Sequence, residues 1–121
     1  MRILVVEDEI KLANAIKRAL VIKKYAVDAA YNGAGGLDLA IGEDYDLVIL
    51  DILMEGITGD RVFATLRKDS RYKEVPIIMA SALDEKMYRC FQALGNVSFL
   101  EKPFNKERLL DEITKRLISC K

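Results

Sequence analysis

The sequence predicts an α/β fold, (βα)5, in which five parallel strands and five helices make a doubly wound sheet. Three observations predict it. Four compact apolar runs lack the polar/apolar alternation of a sheet with one wet face, so they suit strands covered on both sides. The stretches between them carry apolar residues at helical three- and four-residue steps. The chain of 121 residues, 51% hydrophobic and 31% charged, has the size of one domain, residues 1–121. About two-thirds of its unfolded surface would be buried.

The first strand is Ile3-Leu4-Val5-Val6. A helix over Glu9 to Lys23 follows, with Ile10, Ala13, Ile16 and Leu20 on one stripe and Leu12 and Ala19 widening it. Tyr25 to Ala30 reads as an edge strand, and Gly35 to Ile41 as a short helix despite its glycines. Leu47-Val48-Ile49-Leu50 is the most apolar run; Thr58 or Asp60 caps a third helix containing Val62, Phe63 and Leu66. The fourth strand spans Val75 to Ala80, with Pro76 tolerated near its start. A helix over Asp84 to Leu94 stops at Gly95-Asn96, ahead of the strand Val97-Ser98-Phe99-Leu100. Asn105 to about Ser119 is the last helix, with Leu109, Leu110, Ile113 and Leu117 on one side. With right-handed crossovers, one strand order for this pattern is 2-1-3-4-5, which puts a ligand crevice beyond the C-terminal ends of strands 1 and 3.

Composition narrows the chemistry. Lys+Arg and Asp+Glu both number 19, so no overall field draws the chain to nucleic acid or anionic lipid. No apolar run reaches membrane-spanning length, and the start enters a strand with no leader pattern. Two cysteines, Cys90 and Cys120, do not make a disulfide framework; a reducing cytoplasm fits. The chain has no histidine, which removes imidazole acid/base chemistry, Ser-His-Asp and Cys-His triads and imidazole zinc sites.

The polar residues that follow the strands are therefore informative. Strand 1 runs into Glu7-Asp8-Glu9, strand 3 into Asp51, strand 4 into Ser81 and strand 5 into Lys102-Pro103. Parallel topology gathers them at one rim. Glu7, Asp8 and Asp51 then form an all-oxygen set that selects a hard cation, with Mg²⁺ favoured where water and phosphate complete the shell. The plainer reading is that the acids of the first loop solvate it and begin a helix, where negative charge is favourable. Asp51, closing the most apolar strand, is a carboxylate able to act as nucleophile and carry a phosphoryl group. Lys102 supplies a point charge and Ser81 a hydroxyl to that group; singly, they read as a surface lysine and a turn residue. Gly56 and Gly59 punctuate the loop after Asp51 and would permit close backbone approach to the site, with simple turn formation the plainer reading of Gly56. Phe99 either transmits the event by changing rotamer or simply fills core space.

These residues carry a resemblance. ILVVEDE at 3–9, DLVILDILMEGITG at 46–59, PIIMASAL at 76–83 and FLEKPF at 99–104, in that order and spacing, resemble a response-regulator receiver domain of two-component signalling, over Ile3 to Leu117. The resemblance implies a flavodoxin-like architecture and a phosphorylation switch that is not a turnover enzyme. It makes Asp51 the phosphoacceptor, Asp8 and Asp51 direct Mg²⁺ ligands, Glu7 a ligand through water and Leu53 a ligand through its backbone carbonyl. Ser81 and Lys102 match the family's hydroxyl and lysine, and Ser81 and Phe99 its switch pair. The implied donor is a histidine of a sensor kinase or phosphotransfer protein. The implied output passes to a domain or partner through the fourth helix, fifth strand and fifth helix. Leu53 and Leu83, flanking Asp51, would restrict attacking water and slow dephosphorylation.

The opening strand and the stretch around Asp51 resemble receivers of winged-helix transcriptional regulators, which implies control of transcription and a homodimer on phosphorylation. Glu55 stands where the family usually has Pro, and Thr58 where it often has Asp. Gly95 to Phe99 and Glu112 depart from the charged residues of that subgroup's dimer face, which weakens the expectation of its salt bridges. Three other functions compete. A partner-binding domain without useful phosphorylation would take no label. A carboxylate phosphatase lacks a second Asp two residues after Asp51, and a flavin protein would want amide and hydroxyl donors in the first loop.

Overall fold

The computed structural model describes residues 1–52, 54, 56–81 and 96–119, with the backbone alone at 81, 118 and 119. Its elements are β1 (Arg2–Val6), α1 (Ile10–Ile22), β2 (Ala26–Ala30), α2 (Gly33–Gly42), β3 (Leu47–Asp51), α3 (Gly59–Lys68), β4 (Ile77–Ser81), β5 (Val97–Glu101) and a C-terminal helix α4 (Lys106–Ser119). All strand pairs are parallel and the order is β2-β1-β3-β4-β5, as expected. The helix expected over Asp84 to Leu94 lies outside the described residues.

Alternation along each strand divides the core into two layers. Leu4, Val6, Val48, Leu50, Ile77 and Met79 meet Ala40 of α2 and Val62, Phe63 and Leu66 of α3 on one face. Ile3, Val5, Leu47, Ile49, Ile78 and Leu100 meet Ala13, Ile16 and Leu20 of α1 and Leu109, Ile113 and Leu117 of α4 on the other. Ile10, placed on the apolar stripe from its spacing, is 57% exposed. It opens α1, ahead of the turn that first packs on the sheet.

Local chemistry fixes the ends. Asn32 caps α2, its Oδ1 accepting from Gly35 N at 2.7 Å, so this helix begins two residues earlier than the sequence suggested. Thr58 holds the N-cap position of α3, although its side chain makes no cap bond. The fourth strand begins at Ile77, after Pro76, and extends through Ser81. At the end opposite the polar rim, the Tyr72 hydroxyl donates to Ala40 O at 2.6 Å. Nearby, Arg67 Nη1 donates to the Tyr72 and Val75 carbonyls and Nη2 to that of Asn96, which ties α3 to the segments entering β4 and β5.

Ser98 is a local mismatch in the α1/α4 layer: it is buried and its hydroxyl has no hydrogen-bond partner among the described residues. Such a group carries a desolvation cost without compensation. Ser98→Ala is therefore expected to stabilise the domain by about 1 kcal/mol, raising the thermal midpoint by a few degrees in a melting experiment.

Candidate phosphoacceptor site

The site is the last rung of one sheet face. In β1 the side chains of Ile3 and Val5 enter the α1/α4 layer and Glu7 continues the same alternation; in β3, Leu47 and Ile49 lead to Asp51. In β5, Leu100 leads to Lys102. Polar ends on apolar strands are thus brought together by the period of two and the parallel register. The Glu7 N–H still donates to Ala30 O at 3.0 Å, so its backbone is held by the neighbouring strand β2.

Glu7, Asp8 and Asp51 each place a carboxylate oxygen within 4.8 Å of the others. Glu7 and Asp51 are only 3% and 5% exposed, whereas Asp8 opens to solvent. Lys102 Nζ donates to Glu7 Oε1 at 2.5 Å and lies 3.6 Å from Asp51 Oδ2. The lysine is therefore held chiefly by Glu7, with Asp51 as its second partner. No sequence signal announced that preference. The Lys102-Pro103 peptide is cis.

Electrostatics explains what the cluster lacks. Burial pushes the Glu7 carboxyl up to about 8, the neighbouring Asp51 carboxylate pushes in the same direction, and Lys102 opposes both. For Lys102, burial works to lower the ammonium, but the hydrogen bond to Glu7 and the charge of Asp51 outweigh it and its pKa stands above the ordinary lysine value. With all groups ionised, three carboxylates face one ammonium, a formal surplus of two negative charges. Glu7 Oε2 is buried and has no hydrogen-bond partner among the described residues. An all-oxygen donor set, a charge deficit of two and an orphaned buried oxygen fit a hard divalent cation, and solvent reaches the set at Asp8.

The remaining expected residues fall around this centre. Ser81 ends β4, in register with Glu101 and one position beyond Ala80, the partner of Asp51. Phe99 is half-buried against the α2/α3 layer, beside Met79 of β4. It thus belongs to the sheet face opposite that of Glu7, Asp51 and Lys102. Leu53, Glu55 and Leu83 lie outside the described residues. The close backbone approach expected at the glycines after Asp51 is found at Gly59, where a Cβ would lie 2.1 Å from Asp51 O, while Gly56, at φ +78°, serves the turn. Sequence reasoning missed Gly33, where a Cβ would lie 2.5 Å from Ile57 O.

The sequence profile of the family described as the response regulator receiver domain matches residues 3–114. The chain belongs to that family. Its relatives include DltR, a transcriptional regulatory protein of Streptococcus agalactiae, 38% identical over 96% of this chain and 51% of that protein. CusR, a transcriptional regulatory protein of Escherichia coli, is 37% identical over 93% of this chain and 49% of its own. The chain therefore spans about half the length of these relatives. Among solved structures, the receiver resembles the chemotaxis protein CheY4 of Vibrio cholerae, with a TM-score of 0.89 at 30% identity over 94% of this chain and 96% of that one. It also resembles the response regulator TrrA of Thermotoga maritima, solved in complex with Mg²⁺-BeF, with a TM-score of 0.82 at 35% identity over 95% and 97%. No helix of the described residues is long and apolar enough to cross a membrane.

Proposed function

We propose that this receiver is a phosphorylation switch that takes a phosphoryl group onto Asp51 from a histidine of a sensor kinase or phosphotransfer protein, in a Mg²⁺-dependent reaction. The observation that carries the reading is the joint position of Glu7, Asp8 and Asp51 with Lys102 Nζ 3.6 Å from Asp51. An Asp51 carboxylate oxygen attacks phosphorus, the bond from phosphorus to the donor imidazole breaks, and the imidazole leaves with its electron pair. Asp8 and Asp51 would hold Mg²⁺ directly, Glu7 through water, and the Leu53 carbonyl would complete the protein ligands. When bound, the ion neutralises charge on the phosphoryl oxygens. Lys102 stays charged throughout and holds negative charge beside Asp51.

In this reading the Ser81 hydroxyl then binds the phosphoryl group and Phe99 moves with it, so that phosphorylation favours one of two existing conformations. The proposal includes a single domain over residues 1–121 acting in the cytoplasm, slow loss of the acyl phosphate behind Leu53 and Leu83, and output to a further domain or partner. The proposal extends to control of transcription, which the transcriptional regulatory relatives DltR and CusR support, and to pairing on phosphorylation.

Two measurements test it together. Incubation with acetyl phosphate and Mg²⁺ should add one phosphoryl group per chain by intact mass, and a chelator should prevent it. Mg²⁺ alone, at a hundredfold excess over its Kd, should stabilise the fold by about 2.7 kcal/mol, roughly 10 °C in midpoint. Asp8→Asn should lose most of that gain. Absence of label from acetyl phosphate and from phosphorylated histidine donors would favour the partner-binding alternative.

A further inference from the structure

We infer that Gly33, on α2 and distant in sequence from every proposed site residue, is a positioning residue for Asp51, acting through Ile57 and Gly59. The inference rests on the proposed phosphoryl acceptance at Asp51. The loop after β3 is gripped at two points where backbone meets backbone. At one, Gly59 N donates to Ile52 O at 3.0 Å, and a Cβ on Gly59 would stand 2.1 Å from Asp51 O and 2.6 Å from Ile52 Cα. At the other, a Cβ on Gly33 would stand 2.5 Å from Ile57 O and 2.9 Å from Ile57 Cβ. Ile57 also packs against the α2/α3 layer, where Ile52 and Met54 are buried. The start of α2 therefore presses on Ile57, two residues before the glycine that lies flush on the Asp51 carbonyl.

Close-packed groups transmit such displacement instead of absorbing it. A methyl group at position 33 needs the Ile57 carbonyl to retreat by about 0.5 Å to reach the 3.0 Å that real contacts respect. Retreat of Ile57 carries Thr58 and Gly59 with it and shifts the backbone of the proposed nucleophile. Misplacement on this scale remote from the reacting atoms is enough to cost one to two orders of magnitude in rate. Gly42, at the other end of the same helix, has nothing among the described residues within 4 Å of its Cβ position, so it supplies an internal control.

The experiment compares wild type, Gly33→Ala, Ile57→Ala and Gly42→Ala. Mg²⁺ titration is followed by amide chemical shifts, and phosphorylation by acetyl phosphate is resolved into the first-order labelling rate at saturating donor and the half-saturating donor concentration, all below the melting midpoint of each variant. Gly33→Ala and Ile57→Ala, which fills or empties the contact, are expected to weaken Mg²⁺ binding or lower the saturating labelling rate by roughly tenfold, with Gly42→Ala like wild type. A lowered midpoint for Gly33→Ala with unchanged Mg²⁺ affinity and labelling rate would overturn the inference. If Gly33→Ala does not fold, Ile57→Ala decides: wild-type Mg²⁺ affinity and labelling rate there would overturn it equally. Wild type that neither binds Mg²⁺ nor takes label would instead defeat the proposed function, and the inference with it.

Discussion

Asp51→Asn is expected to make the metal-free domain more stable while removing its capacity to take a phosphoryl group. Asp51 is buried, with Glu7 and Asp8 oxygens within 4.8 Å, and Lys102 is nearer Glu7 than Asp51. Replacing it with an amide removes a like charge from a poorly solvated cluster and leaves the Glu7–Lys102 pair in place. The gain should be about 1–2 kcal/mol, several degrees in midpoint, measured with a chelator present at pH 8. The pH dependence follows from Glu7, which burial holds at about 8 in the fold against 4.5 ordinarily. Between those values the folded state binds more protons than the unfolded one. The Glu7 contribution is thus fully present below about 4.5 and is lost as pH rises through about 8, with a slope of at most about 1.4 kcal/mol per pH unit. Metal-free wild type should lose stability across that window and Asp51→Asn should lose less. A variant less stable than wild type at pH 8 would contradict this account of the cluster.

Gly59→Ala should have the largest effect of any single methyl group. Nothing in the backbone conformation of Gly59 forbids alanine; the obstacle is space. The new Cβ would land 2.1 Å from Asp51 O and 2.9 Å from Asp51 C. These are main-chain atoms of a central strand, paired on one side with β1 and on the other with β4, and they have no rotamer to change. Overpacking of this kind costs about 3 kcal/mol, roughly 10 °C in midpoint. In molecules that remain folded, labelling by acetyl phosphate should fall about a hundredfold. A midpoint and a labelling rate both equal to wild type would show that α3 tolerates a wider spacing from Asp51.

How much of this was legible depends on the range of each interaction. The strands were legible because a parallel sheet covered on both faces needs uninterrupted runs such as Leu47 to Leu50; the alternation of helix and strand makes them parallel, and 2-1-3-4-5 is one of the orders that pattern allows. The polar rim was legible because the strands carrying Ile3, Leu47 and Leu100 place Glu7, Asp51 and Lys102 at their C-terminal ends. Other features left no local mark. The capping of α2 by Asn32 was obscured by glycines that lower helix propensity. Ile10 fits the helical stripe by spacing and yet is exposed, since it precedes the turn that packs. The choice of Glu7 by Lys102 joins residues 95 positions apart, and the approach of Gly33 to Ile57 is equally non-local. Both depend on how elements pack, which spacing along the chain does not encode.

The central claim is that an aspartate at the end of β3 is the nucleophile, set in a divalent-ion site. Peptide mapping by mass spectrometry, after acetyl phosphate treatment with and without Mg²⁺, addresses it most directly. The account predicts one acyl phosphate, on the peptide containing Asp51, formed only with the ion present. A phosphoryl group found on another residue, or on Asp51 to the same extent in chelator, would contradict it.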